Sequence, residues 1–174
     1  MQILIPPPPP DDYRTAELSF VSQRYARPVT PREKMSILDE NHPAIFSERL
    51  IALGLPPHYD ELNGIAKELV PVILYHKNYF NSARPYKLAQ RANIPFAYDN
   101  LRSAQSPSYP SGHATQAYAI AYALADAYPE HTETWLSAAR EVAESRVDRG
   151  VHVPSDNEAG RTLALKLRDK NARP

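Results

Sequence analysis

Two short segments of the sequence carry residues whose types and spacing could bind an anion. In the first, Lys77 and Arg84 are seven residues apart, so both cationic side chains would face one way on a helix. In the second, Ser111 and Gly112 precede His113. Ser111 is a good N-cap and Gly112 lets a ligand approach the backbone. The free N–H groups at this helix start would form an anion site with His113 beside it.

A third segment combines a cation, an imidazole and a carboxylate. Arg146 would lie near the end of one helix, His152 in the following turn, and Asp156 in the first turn of the next helix. A carboxylate there could accept a hydrogen bond from one imidazole nitrogen and leave the other free to react. Each segment alone also has a plain structural interpretation, as a solvated basic helix face or an ordinary capped helix.

Taken together, the three segments favour one kind of ligand. They supply three cations, two imidazoles and neutral N–H donors, and they contain no cluster of carboxylates that would offer an oxygen-rich metal site. A group that needs charge stabilisation on several oxygens at once, with a nucleophile on one side and an acid on the other, is a phosphoryl group. The predicted partner is therefore a small phosphorylated substrate.

The elements that must position these residues are predicted to be helices throughout. Gly is scarce, at 5 residues, and the remaining composition favours helix formers. The segment 114–128 is apolar nearly all round and predicts a buried central helix, whereas 86–108 is polar and is predicted to be rich in loops. No extended period-two strand pattern occurs. Further helices are predicted over 11–25, 30–38, 43–53, 60–82 (kinked at Pro71), 132–149 and 154–170. The predicted fold class is all-α, a single-domain helical bundle.

Length and a proline run define the predicted domain organisation. A chain of 174 residues corresponds to one domain with at most one arm. Pro6 to Pro10 form an unbroken run that cannot lie inside a helix, which predicts a polyproline II arm over residues 1–10 and a helical domain over residues 11–174. The arm is interpreted as a stiff leader packed on the domain surface, with a ligand for a proline-binding partner as the alternative.

Composition excludes several classes of protein. With 20 basic and 20 acidic residues the net charge is zero, so no nucleic-acid partner is expected. The absence of Cys excludes disulfides, thiolate catalysis and Cys-ligated zinc. The longest apolar run, 117–125, is too short to span a membrane, and Met1 to Ile5 does not resemble a signal peptide. The chain as given would be cytoplasmic, or periplasmic if a signal had been removed. Whether it forms a homo-oligomer is left open.

The three segments together resemble the tripartite signature of the type 2 phosphatidic acid phosphatase superfamily. The matching strings are Lys77-x6-Arg84-Pro85, Pro110-Ser111-Gly112-His113 and Ser145-Arg146-x5-His152-x3-Asp156. That superfamily includes bacterial class A non-specific acid phosphatases, membrane lipid phosphatases and vanadium haloperoxidases. The strings 108–113 and 144–147 and the early proline run make the chain most similar to the class A acid phosphatases.

The resemblance implies an acid phosphatase fold and a role for each matching residue. His152 would be the nucleophile and form a phosphohistidine, Asp156 would orient it, and His113 would protonate the leaving alcohol and then activate water. The phosphoryl oxygens would be held by Lys77, Arg84, Ser111, Gly112 and Arg146. That mechanism requires no metal and no cofactor. The other family members imply two alternatives, a vanadium-dependent haloperoxidase-like oxidoreductase and a lipid phosphate phosphatase.

The remaining titratable and aromatic residues receive simpler interpretations. Four histidines stand apart from carboxylates at metal-ligand spacing and are predicted to be surface or capping residues: His42, His58, His76 and His131. Tyr86 and Tyr109 adjoin the motifs and are candidates for the leaving-group side of the site.

Overall fold

The computed structural model describes residues 1–171 and is helical, with no strand among those residues. The predicted all-α class is therefore confirmed. Residues 172–174, the end of the predicted domain 11–174, lie outside the described range. Within 1–171, none of the helices combines the length and the apolar character needed to cross a bilayer. The α-helices are α1 (Asp11–Ala16), α2 (Leu18–Ala26), α3 (Met35–Glu40), α4 (Pro43–Ala52), α5 (Tyr59–Glu68), α6 (Val70–Phe80), α7 (Pro85–Arg91), α8 (Gly112–Ala127), α9 (Thr132–Asp148) and α10 (Pro154–Asn171).

Two predicted helices are each divided in the structure, and one helix was missed. The segment 11–25 contains α1 and α2, and the segment 60–82 contains α5 and α6 with Leu69 between them. Pro71 lies in the first turn of α6, where its missing N–H has no intrahelical partner to lose, so the proline begins a new helix. The same preference places Pro85 at the start of α7, inside the stretch predicted to be loop.

Helix α8 lies at the centre of the fold, as its apolar sequence predicts. Ala117, Ile120 and Leu124 are buried, and α9 and α10 both pack against the helix. The contact with α10 is very close at Gly160, because a Cβ there would lie 2.7 Å from the carbonyl oxygen of Ser111. This close packing brings the start of α8 against the start of α10.

The N-terminal arm packs along α6 and the segment before α8. Pro10 has φ −55° and ψ 155°, close to polyproline II values. The backbone N–H of Leu4 donates to Nε2 of His76 at 3.0 Å, and the Tyr109 hydroxyl donates to the carbonyl of Pro6 at 2.8 Å. His76 is wholly buried, so its predicted surface position is wrong. Burial is tolerated because both ring nitrogens are hydrogen-bonded: Nε2 accepts from Leu4, and Nδ1 donates to the Val72 carbonyl.

Candidate active site

His152 is held between a carboxylate and a guanidinium in the turn between α9 and α10. Its Nδ1 lies 3.0 Å from Oδ2 of Asp156, and its Nε2 lies 3.1 Å from Nη1 of Arg84. Because the carboxylate accepts a hydrogen bond from Nδ1–H, the proton stays on Nδ1 and Nε2 carries the lone pair. Nε2 accepts the hydrogen bond from Arg84 and is the ring nitrogen whose lone pair could react with a ligand at this position.

Asp156 is fully buried and is surrounded by donors. Oδ2 accepts from the Ser108 hydroxyl at 2.6 Å and from the Val153 N–H at 3.3 Å, whereas Oδ1 accepts from Nη2 of Arg14 at 2.9 Å. Burial alone would raise the pKa of Asp156, but the hydrogen bond from His152, the charge of Arg14 and the bond from Ser108 together lower it below its usual value. The carboxylate is thus ionised, and it can orient the imidazole.

The surroundings of His152 favour the neutral form of its imidazole. Burial lowers its pKa well below the ordinary value, and the positive charge of Arg84 lowers it further, whereas Asp156 opposes both effects. A neutral imidazole is the form that can act as a nucleophile.

Lys77 and Arg84 are buried cations anchored by the loop that precedes α8. Nζ of Lys77 donates to the carbonyl of Pro107 at 2.6 Å, and Nε of Arg84 donates to the carbonyl of Ser106 at 2.8 Å. Burial, followed by the charge of Arg84, lowers the pKa of Lys77 well below its usual value. Gly112 lies against this lysine, since a Cβ at Gly112 would be 3.7 Å from Cε of Lys77.

Ser111 caps α8 as its type predicts, but its backbone N–H is not available to an anion. The side chain accepts from the N–H of Ala114 at 3.3 Å, and the Ser111 N–H donates to the carbonyl of Asp156 at 2.9 Å. The prediction that the Ser111 N–H is a free donor is therefore wrong, because the start of α10 supplies its acceptor. Gly112 and His113 remain to offer N–H groups at the helix start.

Arg146 and His113 meet at Asp39, a residue of α3. Nη1 of Arg146 donates to Oδ1 of Asp39 at 2.7 Å, and Nη2 donates to the Ser103 hydroxyl at 3.1 Å. Nε2 of His113 lies 2.8 Å from the Asp39 carbonyl oxygen and donates to it. Burial, followed by the charge of Arg146, lowers the pKa of His113 well below its ordinary value.

The structure thus brings all eight predicted residues into one buried region: Lys77, Arg84, Ser111, Gly112, His113, Arg146, His152 and Asp156. Sequence reasoning missed the residues that hold them, notably Arg14 and Asp39, because neither is near a motif in the chain. It also misplaced His42, which is buried with its ring centroid 5.1 Å from that of His113. Ser108 directly precedes the second motif, so its position in the chain was the one available signal.

The two tyrosines next to the motifs have different environments. Tyr86 stacks on Tyr98 with ring centroids 4.9 Å apart, and both line a cavity of about 80 Å³ beside Arg84 and the backbone of Val151. Tyr109 is buried and bonds the N-terminal arm. Of the two, only Tyr86 lines this cavity beside the phosphate-binding candidates.

Comparison with known proteins agrees with this architecture. The family model described as PAP2 superfamily matches residues 62–167, which contain all three motifs. A non-specific acid phosphatase from Salmonella typhimurium is 32% identical over 174 residues, covering 92% of this chain and 68% of that protein. A non-specific acid phosphatase from Salmonella typhi is 30% identical with the same coverage. The chain belongs to the PAP2 superfamily.

A solved structure extends the likeness to the fold. The transmembrane PAP2 type phosphatidylglycerolphosphate phosphatase from Bacillus subtilis aligns with a TM-score of 0.59 at 20% identity, covering 94% of this chain and 89% of that chain. At this identity the similarity concerns the arrangement of helices. The predicted helical bundle of this superfamily is confirmed.

Proposed function

We propose that this protein is a phosphomonoester hydrolase of the acid phosphatase type that acts through a phosphohistidine at His152 and needs no metal ion. Membership of the superfamily and the similarity to acid phosphatases make it a phosphatase. The observation that carries the finer proposal is the imidazole held between Asp156 and Arg84, with its reactive nitrogen facing a cation. A phosphoryl oxygen on Arg84 would lie beside that nitrogen.

The first half of the reaction transfers the phosphoryl group to the enzyme. The lone pair on Nε2 of His152 forms a bond to phosphorus while the bond from phosphorus to the leaving oxygen breaks. The leaving oxygen takes a proton from His113. Charge on the transferring oxygens is balanced by Lys77, Arg84 and Arg146, which do the work that a divalent cation does in other phosphoryl-transfer enzymes.

The second half of the reaction releases phosphate. Water attacks the phosphorus of the phosphohistidine, and the now neutral His113 takes a proton from that water. The bond between phosphorus and Nε2 breaks, which restores the neutral imidazole bonded to Asp156. His113 returns to its protonated form, so each residue ends the cycle as it began.

His113 has to be protonated in the first half, although its pKa in the free protein is low. The positive charge of Arg146 is one cause of that low pKa. A dianionic phosphoryl group bound to Arg146 offsets this charge and raises the pKa of His113. Substrate binding therefore prepares the acid.

The test is a panel of phosphomonoesters assayed before and after exhaustive dialysis against a chelator. We expect hydrolysis to survive chelation and to be inhibited by vanadate, because five-coordinate vanadate on His152 resembles the transferring phosphoryl group. Loss of activity on chelation with recovery on adding a divalent metal would refute the proposed mechanism. Halide oxidation after vanadate loading, or hydrolysis confined to a lipid phosphate in vesicles, would instead support one of the alternatives.

A further inference from the structure

Arg14 reaches the candidate active site from outside the motifs. It lies on α1, upstream of the residues matched by the family model, and its side chain is completely buried. Nη2 donates to Oδ1 of Asp156 at 2.9 Å, and Nη1 donates to the carbonyl of Ala83 at 3.1 Å. A buried cation with both contacts at catalytic segments invites a functional explanation.

We propose that Arg14 is a positioning residue for the reaction: it fixes the orientation of Asp156 and, through Asp156, that of the imidazole of His152. This inference rests on the proposed function. Arg14 acts indirectly, since it bonds the residue that orients the nucleophile.

The division of bonds around the carboxylate explains how orientation is fixed. Oδ2 of Asp156 faces His152 and Ser108, and Oδ1 faces Arg14. With a donor on each side, the carboxylate plane has one favourable orientation. Without the guanidinium, Oδ1 would lose its charged partner, and the carboxylate could turn away from Nδ1 of His152.

The second arm of the guanidinium links this carboxylate to the phosphate-binding segment. Ala83 immediately precedes Arg84, whose Nη1 lies 3.1 Å from Nε2 of His152. Arg14 therefore connects the segment that carries Arg84 with the carboxylate that holds His152. It helps to set the distance between the cation and the nucleophile.

Helix α1 is tied to α10 at its C-terminal end. Glu17, directly after α1, accepts bonds from the N–H and the hydroxyl of Ser155 in the first turn of α10 at 2.8 and 2.6 Å. Glu17 thus holds α1, and with it Arg14, beside the turn of α10 that carries Asp156.

The pH dependence provides a readout that a purely structural role would not move. Without Arg14, the pKa of Asp156 rises, because burial is then opposed by one fewer positive charge. The uncompensated carboxylate also raises the pKa of His152. Both changes remove the active protonation states as pH falls, so the acidic limb of kcat/KM moves to higher pH. The titratable and charged groups facing Asp156 are Arg14, Glu17, Lys77, Arg84, Tyr109 and His152.

The experiment compares Arg14→Met, Arg14→Lys and the control Arg24→Met. Arg24 pairs at 2.6 Å with Asp148, a buried carboxylate that does not contact His152, so the control removes a similar ion pair from the same N-terminal region. We expect Arg14→Met to lower kcat about 10- to 100-fold and to move the acidic limb of kcat/KM to higher pH. Inhibition by inorganic phosphate should stay nearly unchanged. Arg14→Lys should restore part of the rate. Arg24→Met should leave the pH profile in place.

A double-mutant cycle keeps the test decisive if Arg14→Met folds poorly. Arg14→Met combined with Asp156→Asn leaves no unpaired buried charge, so the double variant should be more stable than Arg14→Met alone. In the Asp156→Asn background, Arg14→Met should lower kcat far less than it does in the wild type, because the larger part of its effect passes through the carboxylate and only the bond to the Ala83 carbonyl is then lost. A full loss in both backgrounds, or an unchanged acidic limb, would overturn the inference.

Failure of the proposed function can be told apart from failure of this inference. If the wild-type protein hydrolysed no phosphomonoester, the proposed function would fall. Nitrogen NMR of His152 reports its tautomer and titration without any substrate. A His152 signal that is the same in wild type and Arg14→Lys but altered in Arg14→Met would still support the link, and identical signals in all three would refute it.

Discussion

His152 is almost wholly buried, so its two polar neighbours decide which of its ring nitrogens carries the proton. Asp156 holds the Nδ1 proton and Arg84 faces Nε2, so the lone pair points to where an anion would bind. We therefore expect His152→Ala to yield no phosphoenzyme with any phosphomonoester. The measurement is an alkaline quench, which preserves phosphohistidine, followed by peptide mapping of the label. Label on a serine or on His113 in the wild type would contradict the assignment.

Substitution of His113 is predicted to impair a different step from substitution of His152. A nitrophenolate leaves with little protonation, whereas an alkoxide needs the acid. His113→Ala should therefore slow phosphorylation by an alkyl phosphate far more than by nitrophenyl phosphate, by about 10²- to 10⁴-fold for the poor leaving group. Rapid-quench kinetics with both substrates measure the difference. Equal losses for the two substrates would remove His113 from the role of acid.

Asp39 pairs with Arg146, one of the cations proposed to hold the phosphoryl oxygens. Its Oδ1 lies 2.7 Å from Nη1 of Arg146. We expect Asp39→Asn to tighten inhibition by inorganic phosphate, about 5- to 50-fold, because a neutral amide competes less well for the guanidinium. Asp99→Asn is the matched control, since Asp99 also acts on Arg146 through space but its carboxylate bonds Arg149 at 2.7 Å. Weaker phosphate inhibition in Asp39→Asn would mean that Asp39 orients Arg146 and does not compete with phosphate.

At the scale of elements, the approach of α8 and α10 sets the geometry at the start of α8. Gly160 permits it, because an added Cβ would meet the Ser111 carbonyl at 2.7 Å and the Ala114 Cβ at 2.9 Å. We expect Gly160→Ala to cost about 1–3 kcal/mol of unfolding free energy and to weaken phosphate binding by displacing the loop at Ser111. Urea unfolding and phosphate inhibition measure the two effects.

Gly64 in α5 provides the matched control for that substitution. A Cβ at Gly64 would meet nothing within 4 Å, so Gly64→Ala should raise the unfolding free energy by about 0.5–1 kcal/mol through a better helix propensity. It should leave phosphate inhibition unchanged. If the two alanine variants behaved alike, the close contact between α8 and α10 would not be the reason that position 160 requires glycine.

At the scale of the whole molecule, buried neutral histidines make the fold sensitive to acid. Burial, with the charge of Arg146 as the next cause, lowers the pKa of His42 from 6.5 to about 4. Between these values the unfolded chain takes up a proton that the folded chain does not. The unfolding free energy therefore has its full value above pH 6.5. It decreases as pH falls toward 4, by about 1.4 kcal/mol per pH unit for one histidine.

Substitution of His42 separates this contribution from the others. The pKa values of His113 and His152 are also lowered, so these two residues add to the acid sensitivity of the fold. We expect His42→Gln to reduce the dependence of the unfolding free energy on pH by about one proton between pH 6 and pH 5. Urea unfolding in phosphate-free buffer at several pH values measures it. An unchanged slope would show that His42 takes up its proton in the folded state.

The sequence by itself determined the family, through the three motifs, and the position of most helices. Local spacing was enough for the helices, because helix caps, prolines and apolar faces act within a few residues of the chain. Ser111 caps α8, and α8 is the buried central helix that its composition predicts. The break at Glu17 was not predicted, since the helical pattern is continuous there. At Pro71 a kink was predicted, and the structure instead begins a new helix after Leu69.

Only the tertiary structure decided which residues support the site. Arg14 and Asp156 are 142 positions apart in the chain, and Asp39 and Arg146 are 107 apart. Arg14 and Asp39 lie on the short helices α1 and α3, in segments whose local patterns look like ordinary solvated helix. Their contacts exist because packing removes water from both partners, so each buried charge requires the other. Local sequence patterns do not encode that requirement, because it arises only when distant helices meet.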